Sequence, residues 1–247
     1  MIEGYNPSSM GISEEEYEEF ATGFNGASSI ADVLENLKER RQNVLLGGVN
    51  CIPLPFERFK SEIPGIEQGQ YVVITANAKT GKTQYANFLY LFTALDYAYN
   101  NKDKCSVHII YFALEEAIQK IIERYMSFLL YKLDGLRITP ADLRSTDPDS
   151  PVSKEILEKL ESQKYKERLD FFNRCVQFET EDTNPTGILR VCEAYAKSVG
   201  TYKSHVMKSK GKTDRDVTVF DSYEQADPNH YKIVIIDHIG LNTRRAA

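Results

Sequence analysis

The chain has 247 residues, 42% of them hydrophobic, and a formal charge of −6, which suffices for the core of one α/β domain with appendages. The charge is uneven: residues 1–42 hold nine carboxylates against Lys38, Arg40 and Arg41, leaving 27 acidic and 27 basic residues in a body too balanced to bind nucleic acid by bulk charge. Four cysteines (Cys51, Cys105, Cys175, Cys192) without C-x-x-C spacing argue against a disulfide framework or a zinc site, and no signal-like leader or bilayer-length apolar run is present, so a cytoplasmic protein with no membrane contact is expected.

Ser13 and Glu16 have capping-box spacing and open a short acidic helix, SEEEYEEFATGF, that Gly23 and Gly26 end. A second helix starts near Ser29 and Asp32 and carries Ile30, Val33, Leu34 and Leu37 at i, i+3, i+4, i+7 on one side. Such a stripe needs one partner surface, supplied by its own domain or by a neighbouring subunit. Gly47 and Gly48 then break the chain, setting residues 1–45 apart as an acidic helical segment with a linker helix and 46–247 as the core.

From Gln70 the expected order is a strand (YVVITA), a loop, a helix over about 82–99, a strand (VHIIYFAL) and a helix over about 115–132. The helix ANFLYLFTALDYAY is apolar nearly all round, as expected between a sheet and another layer. Residues 133–172 read as polar helical segments with loops, and FFNRCVQFE (171–179) as containing a further strand. Asn184-Pro185-Thr186 opens a helix, GILRVCEAYAKSV, and a polar insertion (201–230) precedes the last strand, KIVIID (232–237). Within that insertion TYKSHVMKSKGKTDR (201–215) carries Lys203, Lys208, Lys210, Lys212 and Arg215 without periodicity, which predicts a mobile loop, solvated or touching nucleic acid. The alternation of strands and helices predicts a mainly parallel sheet flanked by helices.

The chemistry centres on ANAKTGKT: Ala76, Asn77, Ala78, Lys79, Thr80, Gly81, Lys82 and Thr83, followed by Gln84. This is a P-loop pattern between a β-branched run and a long helix, where loop amides and the helix N-terminus would wrap the phosphates of ATP. Lys82 would reach the β- and γ-phosphates, Thr83 would ligate Mg2+, and Gly81 would let the backbone approach without a Cβ. Asp237, closing KIVIID, would support the metal as a Walker B aspartate or be an ordinary turn residue. His238 rather than a glutamate follows it, so Glu115, at the end of the strand after the P-loop helix, is the candidate for orienting attacking water. The other reading makes Glu115 or Glu116 a first-turn helix acid favoured by the dipole. His108, His205 and His230 lack metal-ligand spacing.

Taken together, these residues resemble the ATPase domain of DnaB-type replicative helicases, hexameric RecA-like motors that unwind DNA by pulling one strand through a ring. The likeness runs from about residue 46 onward through CIPLPFERFKSEIPGIEQGQYVVITA, the P-loop with Ala76 first, FALEEA (112–117), ITPADLRS, FETEDTNPTGILRVCEAYAKSVG and KIVIIDHIGLN. It implies a RecA-like fold binding ATP and Mg2+ between subunits, Glu115 activating water, and Arg124 packing on the nucleotide base. It further implies a hexamer on single-stranded DNA, with the stripe Ile30, Val33, Leu34, Leu37 where the family's linker helix meets the adjacent subunit. Pro53, Leu54 and Pro55 replace a more glycine-rich turn of the family. The family's glutamine sensor, DNA-binding loops and arginine finger lie beyond Asp237, so the core is expected to be incomplete at its C-terminus, and a phage-encoded form would act in the host cytoplasm. A RecA- or KaiC-like ATPase without unwinding, a small-molecule kinase, or a nucleotide-binding assembly protein with little turnover are the alternatives.

Overall fold

Parallel strands are buried on both faces and therefore read as nearly continuous apolar runs, which is how SVHIIYFA and HYKIVIID fold. In the computed structural model, which describes residues 30–59, 61–181, 184–209 and 215–237, β3 (Ser106–Ala113) is the centre of a three-stranded parallel sheet ordered β4-β3-β7. Its neighbours are β4 (Val176–Glu179) and β7 (His230–Asp237), with Ile109 opposite Val176 and Ala113 opposite Asp237. The protein is thus α/β, with helices flanking a parallel sheet. Two short strands before it, β1 (Ile52–Pro53) and β2 (Gly65–Ile66), pair antiparallel and bring Ile52 and Leu54 into the core.

The chain divides into two units, Met1–Leu46 and Gly47–Ala247. In the first, helix α1 (Ile30–Leu45) forms as its spacing predicts, and Ile30, Val33, Leu34 and Leu37 are all exposed. The acidic helix opened by Ser13 lies outside the described residues, as do Lys210, Lys212 and His238.

In the second unit a continuous helical run covers 82–100: α2 (Lys82–Ala86), a π-helical stretch (Asn87–Phe92) and α3 (Thr93–Asn100). It packs with α4 (Ile118–Asp134) and α7 (Gln163–Cys175) over the face of β3 that carries Val107, Ile109 and Tyr111. Phe92 meets Tyr125 at 5.5 Å and Tyr125 stacks on Phe172 at 4.6 Å, so aromatic rings fill this layer. A buried ion pair fixes the layer: Arg168 Nη1 donates to Asp96 at 2.5 Å and Nη2 to Asn100 Oδ1 at 2.9 Å, while the guanidinium lies 3.9 Å over the Tyr99 ring. Two short helices, α5 (Pro140–Leu143) and α6 (Lys154–Glu161), start on Thr139 and Ser153 caps. On the opposite face His108 stacks on Tyr195 of α8 (Pro185–Val199), which starts as expected with the Asn184 side chain accepting from Gly187 N at 2.8 Å.

Two elements differ from the sequence expectation, and the strand expected within 171–179 is found at its end. YVVITA forms no ladder, and Tyr71 and Val73 are 84% and 57% exposed. Outside the segment, Gln68 Nε2 donates to Pro228 O and His230 O at 2.8 and 3.2 Å, and Thr83 at the start of the following helix bonds Asp237. The strand expected within 171–179 is β4; it begins at Val176 because Tyr165, Arg168 and Phe172 recur at helical spacing, are buried together and keep 171–175 helical. The described part of 201–215 is strand rather than mobile loop: β5 (Gly200–Ser209) and β6 (Arg215–Gln225) pair antiparallel along their whole length. The base of this hairpin is held by Tyr202 against Tyr223 at 5.1 Å and by Tyr223 Oη donating to Ala196 O of α8 at 3.1 Å. Among the described residues no helix is long and apolar enough to cross a membrane.

Candidate functional site

Parallel strands deliver their ends to one edge of a sheet, and the loops there collect side chains distant in sequence. At this edge Thr83 Oγ1 donates to Asp237 Oδ1 at 3.1 Å, joining residues 154 positions apart. A carboxylate only accepts, so the threonine proton is committed to Asp237 and the oxygen lone pairs remain for another partner. Magnesium takes one or two protein oxygens and completes its shell with water and phosphate. Thr83 with Asp237 behind it fits that requirement. Among the described residues no group of three or more His, Cys, Asp or Glu side chains forms a metal cluster.

The loop before Thr83 is tightly wound. Lys79 and Gly81 both have left-handed backbone, at φ 62° and 91°, and the second suits glycine because a Cβ is strained there. Lys82 Nζ donates to Ala76 O at 2.7 Å and to Asn77 O at 3.1 Å, and Thr80 Oγ1 donates to Asn77 O at 2.7 Å. Lysine and threonine thereby tie the loop's entry to its exit. Ala78 and Gln84 are exposed beside them. Tyr85 N donates to Gly81 O at 2.9 Å and starts the helix.

The register places Ala113 beside Asp237, so Glu115 follows two residues past the same edge, and its side chain is exposed. Its neighbour behaves differently. Glu116 is largely buried and grips Arg124 with both oxygens, Arg124 Nη2 donating to Oε1 at 2.6 Å and Nη1 to Oε2. Arg124 thus faces a carboxylate here, and of the two glutamates Glu115 is the exposed one.

Two residues passed over in the sequence stand directly behind this edge. Asn87, one turn after Thr83, is fully buried, and Tyr111 of β3 is 1% exposed. Neither the Asn87 amide atoms nor the Tyr111 hydroxyl makes a hydrogen bond of ordinary geometry among the described residues. Burial pushes the Tyr111 phenol far up, the Asp237 carboxylate pushes it further, and the Asn87 amide partly offsets both. An asparagine inside the apolar ANFLYLF and a tyrosine inside IIYFA were the available signals.

His108 and His230 are structural in placement. His230 bridges Ser106 Oγ through Nδ1 and Tyr195 Oη through Nε2, each at 2.7 Å, and His108 Nε2 meets Gln177 Oε1 at 3.2 Å. Burial lowers the pKa of both. No family model, no curated protein and no solved structure matches the chain, so a functional reading rests on these residues and their chemistry.

Proposed function

We propose that the chain binds a nucleoside triphosphate with magnesium at loop 76–83, which makes it a P-loop NTPase. The observation that carries this reading is the Thr83–Asp237 hydrogen bond, because a threonine following a Gly-Lys pair and an aspartate ending an apolar parallel strand are the two protein groups such a metal requires. Lys82, now held by Ala76 O and Asn77 O, would exchange those carbonyls for phosphate oxygens. Glu115, exposed at the same edge, would orient water.

Within that class the chain is read as the RecA-like ATPase core of a DnaB-type replicative DNA helicase. The parallel sheet order β4-β3-β7, with Thr83 at the start of the helix after the loop bonded to Asp237 at the end of β7, supports this narrower reading. On it, Arg124 would leave Glu116 to pack on the nucleotide base, and the exposed stripe Ile30, Val33, Leu34, Leu37 would serve self-association into a hexamer around single-stranded DNA.

Titration with a fluorescent ATP analogue tests the class. Lys82→Ala is expected to weaken binding at least tenfold, and unchanged affinity would remove the claim. Strand displacement by the full-length protein tests the narrower reading. ATP turnover without displacement would favour the RecA- or KaiC-like alternative.

A further inference from the structure

Buried polar groups are nearly always hydrogen-bonded, and an exception in a native core calls for a reason. Asn87 Nδ2, Asn87 Oδ1 and Tyr111 Oη are three such exceptions in one place among the described residues. Their placement is specific. Asn87 opens the π-helical stretch Asn87–Phe92, a winding that recurs at functional sites, and stands one turn beyond Thr83. Tyr111 pairs with Ile235, two residues before Asp237, and side chains two apart on a strand share a face. A diagonal neighbour on the adjacent strand is within reach of a long aromatic side chain. The electrostatics agree, since Asp237, Asn87, Glu116 and Arg124 all act on the Tyr111 hydroxyl.

We propose that Asn87 and Tyr111 are positioning residues for Asp237: in the magnesium-nucleotide state they donate to its carboxylate from behind and hold it where Thr83 must donate to it. The inference rests on the proposed triphosphate site and adds to it the donors that set the metal-side geometry. Thr83 supplies Asp237 with one proton from the loop side. A carboxylate has room for about four donors, the Tyr111 hydroxyl is a buried donor in the field of Asp237, and the Asn87 amide acts on that hydroxyl. With the carboxylate plane held from two sides, the Thr83 lone pairs face the cation. Without Asn87 and Tyr111, the carboxylate loses its core-side donors and orients Thr83 less firmly. The metal would then be held less well, while the loop's grip on phosphate through Lys82 stays intact.

The test uses the whole chain with Tyr111→Phe and Asn87→Leu, two substitutions that keep shape and remove the donors. A fluorescent ATP analogue is titrated first in EDTA and then at rising magnesium chloride. Both variants are expected to bind the metal-free analogue within twofold of the parent and to need five- to tenfold more magnesium for half-maximal enhancement. Melting temperatures equal to or above the parent's, with magnesium dependence unchanged, would show two merely misfitted core groups and overturn the proposal. Tyr111→Phe keeps the test decisive if Asn87→Leu fails to fold. A parent that ignores the analogue, or Lys82→Ala binding as well as the parent, would instead sink the triphosphate site itself. That outcome is distinct, because it does not depend on Asn87 or Tyr111.

Discussion

Removing the Arg168 guanidinium measures how firmly the helix that begins at Lys82 is held. Arg168→Met keeps most of the stem and deletes the fork that donates to Asp96 at 2.5 Å and Asn100 at 2.9 Å and lies on the Tyr99 ring. Breaking a buried ion pair costs about 3–5 kcal/mol when the partner charge is left uncompensated. Here compensation survives: Asp96 still accepts from Asn100 Nδ2 at 3.3 Å and has Lys132 Nζ 3.5 Å away. Lys132 is half exposed and donates little, so the loss falls to about 2–3 kcal/mol, of which the ring contact is about 0.5–1 kcal/mol. For a chain of this size that lowers the melting temperature by about 5–10 °C, read by circular dichroism at 222 nm. Lys132→Met serves as the control and should move it by about 1–2 °C at most. A drop below about 2 °C for Arg168→Met, or equal effects of the two variants, would refute the assignment of Arg168 as the buried anchor.

Three further outcomes are expected. Thr83→Val removes one partly buried donor, so the fold should lose no more than about 1 kcal/mol, while the magnesium-dependent part of nucleotide affinity falls at least tenfold. An unchanged magnesium response would separate Thr83 from the metal. Tyr111→Phe deletes a buried hydroxyl that makes no hydrogen bond of ordinary geometry among the described residues and should leave stability level or raise it by about 1 kcal/mol in thermal denaturation. A loss above about 1 kcal/mol would show that the hydroxyl is satisfied in the folded protein. Acid should loosen the α8 side of the sheet: His108 and His230 have lowered pKa values, so the unfolded chain binds their protons first, and stability present above the unfolded value near 6.5 declines as pH falls toward the folded values. His108→Gln with His230→Gln should flatten the decline of melting temperature between about pH 6.5 and pH 5. An equally steep decline in the double variant would place the acid sensitivity elsewhere.

Where side-chain periodicity and burial coincide, the fold was legible. The continuous apolar runs of β3 and β7, the all-round apolar helix after Lys82, and Asn184-Pro185 at the start of α8 were read directly. YVVITA shows the limit: β-branched residues favour a strand only where backbone groups find a ladder, and here the segment pairs with none of the described strands. The hairpin β5–β6 was hidden because its lysines interrupt any apolar alternation in 201–215, while the alternating DVTVF that would have paired with it lay beyond that window. For the candidate site, the sequence singled out the loop, Asp237 and Glu115 because each is a polar group in a strongly patterned setting, and the structure brings Thr83 and Asp237 together. Asn87 and Tyr111 were not. Each is one polar residue in an apolar stretch, and only the π-helical winding and the β3–β7 register make them neighbours of Asp237.

Hydrogen–deuterium exchange with and without magnesium-ATP tests triphosphate binding and its location together. Slower exchange is predicted for the amides of 76–84 and for the end of β7 around Asp237, with Lys82→Ala abolishing the change. Unaltered exchange over 76–84 at saturating magnesium-ATP, or protection confined to other segments, would contradict the account.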